Sequence, residues 1–108
     1  MTNAPCTQNF NAWVNLQPPG PSKLIVTGEV ETNAGNLVPG LTRADLQGIN
    51  PQQLILDLGI NDTGGIGTQD VAFRDVRYEE PAGENDFTSV AIRWHGDIIE
   101  TLTVQKVS

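Results

Sequence analysis

Residues 87–104 read FTSVAIRWHGDIIETLTV, and the pattern of this stretch decides the fold. Val90, Ile92 and Trp94 alternate with Ala91 and Arg93, which is the period of a strand with one buried face. His95-Gly96-Asp97 then supplies a tight connection with a glycine available for a left-handed position. Ile98, Leu102 and Val104 share a face on a returning strand that runs to Val107. A strand, a tight turn and a second strand make a β-hairpin.

The same period recurs upstream. Over Gln53 to Ile60, Leu54, Leu56, Leu58 and Ile60 share a face and Ile55 supplies the other, so this strand is expected inside the sheet. Leu24, Val26, Gly28 and Val30 alternate with polar residues between Lys23 and Thr32, although Ile25 joins the polar side. Phe10, Ala12, Val14 and Leu16 alternate with Asn11, Trp13, Asn15 and Gln17 until Pro18-Pro19-Gly20-Pro21 stops the segment. From Gln69 to Glu79 the apolar positions are Val71, Phe73, Val76 and Tyr78, and a β-bulge at Arg74-Asp75 would keep them on one face.

Leu37-Val38 reads as a short strand ended by Pro39-Gly40. Thr42-Arg43-Ala44-Asp45 resembles a capping box with Asp in place of Glu, which leaves a helical turn over 43–47, a loop or an edge strand open. Turn formers separate the strands at Asn33 to Asn36, Asn61 to Gly67 and Glu80 to Asn85. Six firm strands and an almost absent helix signal point to an all-β domain. The expected architecture is an antiparallel two-sheet sandwich of immunoglobulin-like type, with a small β-barrel as the alternative. Residues 1–9 are expected to be a loosely held tail and 10–108 a single domain, in keeping with the length of 108 residues.

Composition narrows the function. A net charge of -7 argues against nucleic acid and anionic membrane surfaces as partners, because both call for clustered Lys and Arg. Cys6 is the lone cysteine, so neither an internal disulfide nor a cysteine zinc site is available. Read as complete, the chain suits the cytoplasm. Removal of an upstream export signal would leave the same residues and place it outside the cell.

Catalytic constellations are hard to assemble. Cys6 and His95 are the sole thiol and imidazole, and the thiol precedes the first strand with nothing to hold it against a base. Asp57, Asp62, Asp70 and Asp75 flank a glycine-rich loop, but their spacing matches no calcium motif, and no metal is expected. Gly64-Gly65-Ile66-Gly67 lacks the Lys-Ser/Thr and the helix of a phosphate loop, and no cofactor is expected. Glu79-Glu80 and Glu84 with Asp86 are neighbours around a turn rather than carboxyls across a cleft, so a carboxylate-based enzyme ranks third among the readings.

Trp13 is the informative aromatic. It lies among Asn11, Asn15 and Gln17, an arrangement that suits sugar stacking or a protein interface, the competing reading being burial against another element. Trp94 is expected in the core.

The C-terminal part also resembles chagasin-type cysteine-peptidase inhibitors. Gly64-Gly65-Ile66-Gly67-Thr68, then Arg93-Trp94, then a closing strand follow the loop order of that family over residues 64–108. The resemblance implies an immunoglobulin-like domain that inserts three loops into a protease cleft. Thr32-Asn33-Ala34-Gly35 stands where the family has Asn-Pro-Thr-Thr-Gly, and no proline separates Arg93 from Trp94.

The expected function is a non-catalytic module that binds a protein or a glycan. Its candidate residues are Trp13, Asn33, Gly35, Asn36, Asp62, Gly64, Gly65, Gly67, Trp94 and His95, most of them on loops carried by rigid strands. A small peptidase inhibitor is the second reading. Association of copies through an edge strand is a further expectation.

Overall fold

The computed structural model describes residues 4–15, 22–44, 47, 52–64, 71–81 and 87–107. Its strands are β1 (Thr7–Asn15), β2 (Lys23–Thr32), β3 (Leu37–Arg43), β4 (Gln53–Asp62), β5 (Ala72–Pro81), β6 (Ser89–Trp94) and β7 (Asp97–Val107). No helix occurs among the described residues. β2 keeps the bounds that its alternation predicts. β6 and β7 form the expected hairpin, with His95 at φ 51 and Gly96 at φ 87 in its tip. Two successive positive φ values are what a two-residue type I′ connection requires.

The strands pair in the order β3-β4-β6-β7-β1-β2-β5. β7 makes that order continuous, pairing antiparallel with β6 from Asp97 to Thr103 and parallel with β1 from Val104 to Val107. β4 and β6 are also parallel. The expected antiparallel arrangement is therefore corrected to a mixed sheet. Alternation records which face of a strand is buried and is blind to its neighbour and direction.

The sheet curls until its edge strands, β3 and β5, approach within 8 Å between Cα atoms. The result is a nearly closed, barrel-like wall, compatible with the small barrel expected as the alternative. β7 serves both halves, so the pairing runs as one order of seven strands. Across the β3–β5 seam, the Arg43 guanidinium donates to both carboxylate oxygens of Glu80 at 3.0 and 2.8 Å. The Tyr78 hydroxyl donates to the same carboxylate at 2.8 Å. Burial, then the bond to Glu80 and its charge, push that hydroxyl up to about 12.

Leu24, Val26, Val30, Leu54, Leu56, Val90 and Ile92 are fully buried inside the wall. β4 is covered on both faces, as its sequence requires. On its outer side, Ile55 packs with Ala44 and Ala91. The Gln47 side chain accepts from the Ile55 N–H at 2.9 Å and donates to its carbonyl at 3.0 Å, serving that residue as a neighbouring strand would.

Several local expectations change. β1 begins at Thr7, and the Cys6 carbonyl accepts from the Glu31 N–H, so the boundary expected between residues 9 and 10 falls inside a strand. β3 continues through Pro39 and Gly40 to Arg43, which places 42–43 in an edge strand, where proline is tolerated. Asp45, Leu46 and Leu16 to Pro21 lie outside the described residues. β5 pairs with β2 without a break from Ala72 to Pro81, so no bulge forms at Arg74-Asp75 and Phe73 faces outward. Arg74 turns inward instead, and its guanidinium donates to the carbonyls of Thr32 and Ala72. The bulges lie elsewhere, in β1 between Gln8 and Asn11 and in β7 at Ile99. The second places Ile99 against the core and leaves Ile98 57% exposed, against the expected common face of Ile98, Leu102 and Val104.

Candidate functional site

The strand directions gather the candidate loops at one end of the wall. β2, β4 and β6 finish there, and β1, β3, β5 and β7 begin there. The turn after β2 and the end of β4 are fastened together. The Asn36 amide donates to the Asp62 carboxylate at 2.8 Å, and the Gly64 N–H donates to the same oxygen at 2.9 Å. The Thr63 N–H and hydroxyl both donate to the Asn36 carbonyl, at 2.9 and 3.1 Å. The Gly64 bond, followed by that of Asn36, holds the Asp62 carboxyl below its ordinary value. Gly64 needs its freedom here, because its φ is 81. Asn33 and Gly35 are exposed beside this cluster. Gly65 and Gly67 lie outside the described residues.

Trp94 and His95 stand at the same end, on the β6–β7 hairpin. Their rings meet edge to face with centroids 4.4 Å apart. Trp94 packs only partly against the core, and its indole N–H is buried with no hydrogen-bond partner among the described residues. Among the described residues, the large apolar side chains that stay exposed are Val38, Phe73 and Ile98, on the strand segments nearest this end, and Val71, just ahead of β5.

Trp13 lies apart from the loops, on the outer side of the wall. It is half-buried, opposite Ile25 in β2 and Gln105 in β7. β1 and β7 pair only from Ala12 and Val104 onward. Ahead of that point, Asn9 takes a φ of 58 at the β1 bulge while Thr101 to Thr103 remain with β6. The strands part, and a groove of ≈ 630 Å³ opens between them. Its walls are Phe10, Asn11, Ala12, Trp13, Thr27, Thr101, Leu102, Thr103 and Gln105. Phe10 lies across Gly28, where a Cβ would run into the ring. The polar part of this lining escaped the sequence reading, because Thr101, Thr103 and Gln105 look like ordinary water-facing strand positions and their proximity to Trp13 depends on the parallel pairing.

Arg93 donates to both oxygens of Asp57 at 2.8 and 3.2 Å, and this bond raises the guanidinium's already high value. Among the described residues no group of His, Cys, Asp and Glu side chains is arranged to hold a metal ion. Asp70 lies outside them.

No known family model, curated protein or solved structure matches this chain.

Proposed function

We propose that the protein is a non-catalytic binding module that holds a protein partner with the loops at the end where β2, β4 and β6 finish. The observation that carries this reading is the gathering of residues 33–36, 62–64 and 94–97 at that end, the first two joined through Asn36 and Asp62. A rigid loop pair keeps its shape on binding and so loses little entropy. The sequence alone allowed a glycan as well. The exposed Val38, Val71, Phe73 and Ile98 favour a protein, since apolar side chains exposed toward one end of the wall gain most by meeting another apolar surface. In this role the curled sheet works as immunoglobulin-like scaffolds do, with rigid strands behind contact loops.

The test is affinity capture with the intact protein and with the Phe73→Ser and Asp62→Ala variants. A partner retained by the native chain and lost by both variants, at unchanged fold, supports the reading. Capture that is empty at high protein concentration, or equal for all three proteins, overturns it. Peptidase inhibition remains the second reading, favoured by the same gathering of loops at one end. Full residual activity of papain-like enzymes in excess protein removes it.

A further inference from the structure

We propose that the groove between β1 and β7 binds a short neutral saccharide, with Trp13 as its stacking platform. This site lies on the wall and stands independently of the loop end.

The lining sets the ligand's chemistry. None of its residues is ionisable, so nothing in the groove repays the desolvation of a charged ligand. A half-buried indole offers an apolar face to the C–H face of a pyranose ring. Around it stand the amides of Asn11 and Gln105 and the hydroxyls of Thr27, Thr101 and Thr103. Hydroxyls and amides each donate and accept, which matches the mixed demand of sugar hydroxyls. The Thr27, Thr101, Thr103 and Gln105 side chains make no hydrogen bond among the described residues, so they are uncommitted. The groove's ≈ 630 Å³ falls within the roughly 300–1,000 Å³ of small-molecule sites. An extended peptide is the weaker occupant. The Asn9 bulge breaks the regular edge of β1 that a peptide strand would need to pair with.

The geometry also explains why the groove is open. A bulge bends its strand and re-aims the side chains around it. Here it swings the first half of β1 off β7, while Phe10 over Gly28 anchors that half to β2.

The test titrates the isotope-labelled protein with cello-, manno- and xylo-tetraose, with an oligogalacturonate as the charged control. A neutral tetrasaccharide should shift the amide resonances of Asn11, Thr101, Thr103 and Gln105 and change the indole fluorescence. Trp13→Ala should weaken that binding by about ten-fold or more, the worth of a good aromatic contact. Thr101→Val and Thr103→Val keep the side-chain shape, and each should weaken it roughly three- to ten-fold with the melting temperature held. These two variants keep the test decisive if Trp13→Ala fails to fold. The proposal is overturned if none of the neutral sugars shifts these resonances at millimolar concentration. It is equally overturned if the oligogalacturonate binds as well, if the shifts fall on other residues, or if the threonine variants bind as tightly as the native chain.

Discussion

The seam between β3 and β5 and the groove between β1 and β7 are both places where the wall lacks backbone pairing, and they are finished in opposite ways. At the seam, ionic and hydroxyl groups meet one another: Arg43 donates to Glu80 across the gap, and Tyr78 donates to the same carboxylate from its own strand. The groove has the same opportunity and leaves it unused. Its hydroxyls and the Gln105 amide face outward, uncharged and without partners among the described residues, while the Asn11 amide donates to the Asn9 carbonyl at 3.1 Å. A closed gap is explained by stability. An open one with a built polar lining is explained by something that enters it.

The largest expected effect comes from the groove side. Gly28→Ala places a methyl group where the Phe10 ring lies, and overpacking of this kind costs about 1–3 kcal/mol. Thermal unfolding should show the loss, and the groove resonances should move with it. If the melting temperature holds, Phe10 does not anchor the first half of β1.

Next comes the seam. Glu80 is the better shielded partner, with its side chain 12% exposed against 48% for Arg43. Glu80→Gln should cost about 1–2 kcal/mol, the range for a charge-assisted hydrogen bond. A double-mutant cycle with Arg43→Ala should return a coupling of about 0.5–1 kcal/mol, limited by the exposure of the arginine. No coupling would mean that the seam is held by packing alone.

A smaller effect should appear in alkali. The Tyr78 hydroxyl keeps its proton in the folded state up to about 12, whereas in the unfolded chain it ionises near 10. The folded state therefore binds the extra proton in that window. The stability this contributes is complete below about pH 10 and is lost as the pH rises toward about 12. Denaturant unfolding of Tyr78→Phe should show a shallower decline across this window than the native chain. An identical decline would place the seam in a more watery setting than its geometry implies.

The smallest effect is expected at Trp94. Its buried N–H has no partner among the described residues, so Trp94→Phe removes an unsatisfied donor together with some packing. The two contributions oppose each other, and the net change should stay within about 0.5–1 kcal/mol. A loss of several kcal/mol would reveal a hydrogen bond to that nitrogen.

Much of the fold was legible in the sequence because strand faces are written in alternation. Lys23 to Thr32 and the His95-Gly96 turn were readable for that reason, since period and positive φ are local properties. Pairing is not local. Nothing in Gln53 to Ile60 reveals that its neighbour β6 runs parallel to it. Bulges also hide. The one expected at Arg74-Asp75 assumed that Phe73 must be inside, yet Arg74 can face inward by giving its guanidinium to backbone carbonyls. The real bulge at Asn9 has no apolar residue to betray it. In the proposed groove, Trp13 stands out in the sequence because a large aromatic among amides is conspicuous. Thr101 and Thr103 do not, because threonine is common on strand surfaces. Asn36 and Asp62 were chosen as loop residues, and their direct bond became visible only with the register of β3 on β4.

β7 is the seventh strand in chain order, and it joins β6 to β1. Until it arrives, β1-β2-β5 and β3-β4-β6 are two half-sheets, each with an unpaired inner edge. Local hairpins cannot close the wall, since among the described residues the backbone strand pairing between the halves passes through β7. Folding should therefore be slow and all-or-none, on the order of milliseconds to seconds, as for other topologies rich in distant contacts. While β7 is out of place, the free edges of β1 and β6 can recruit strands from other copies of the chain. The speed with which one strand docks thus sets how long the newly made protein stays open to aggregation.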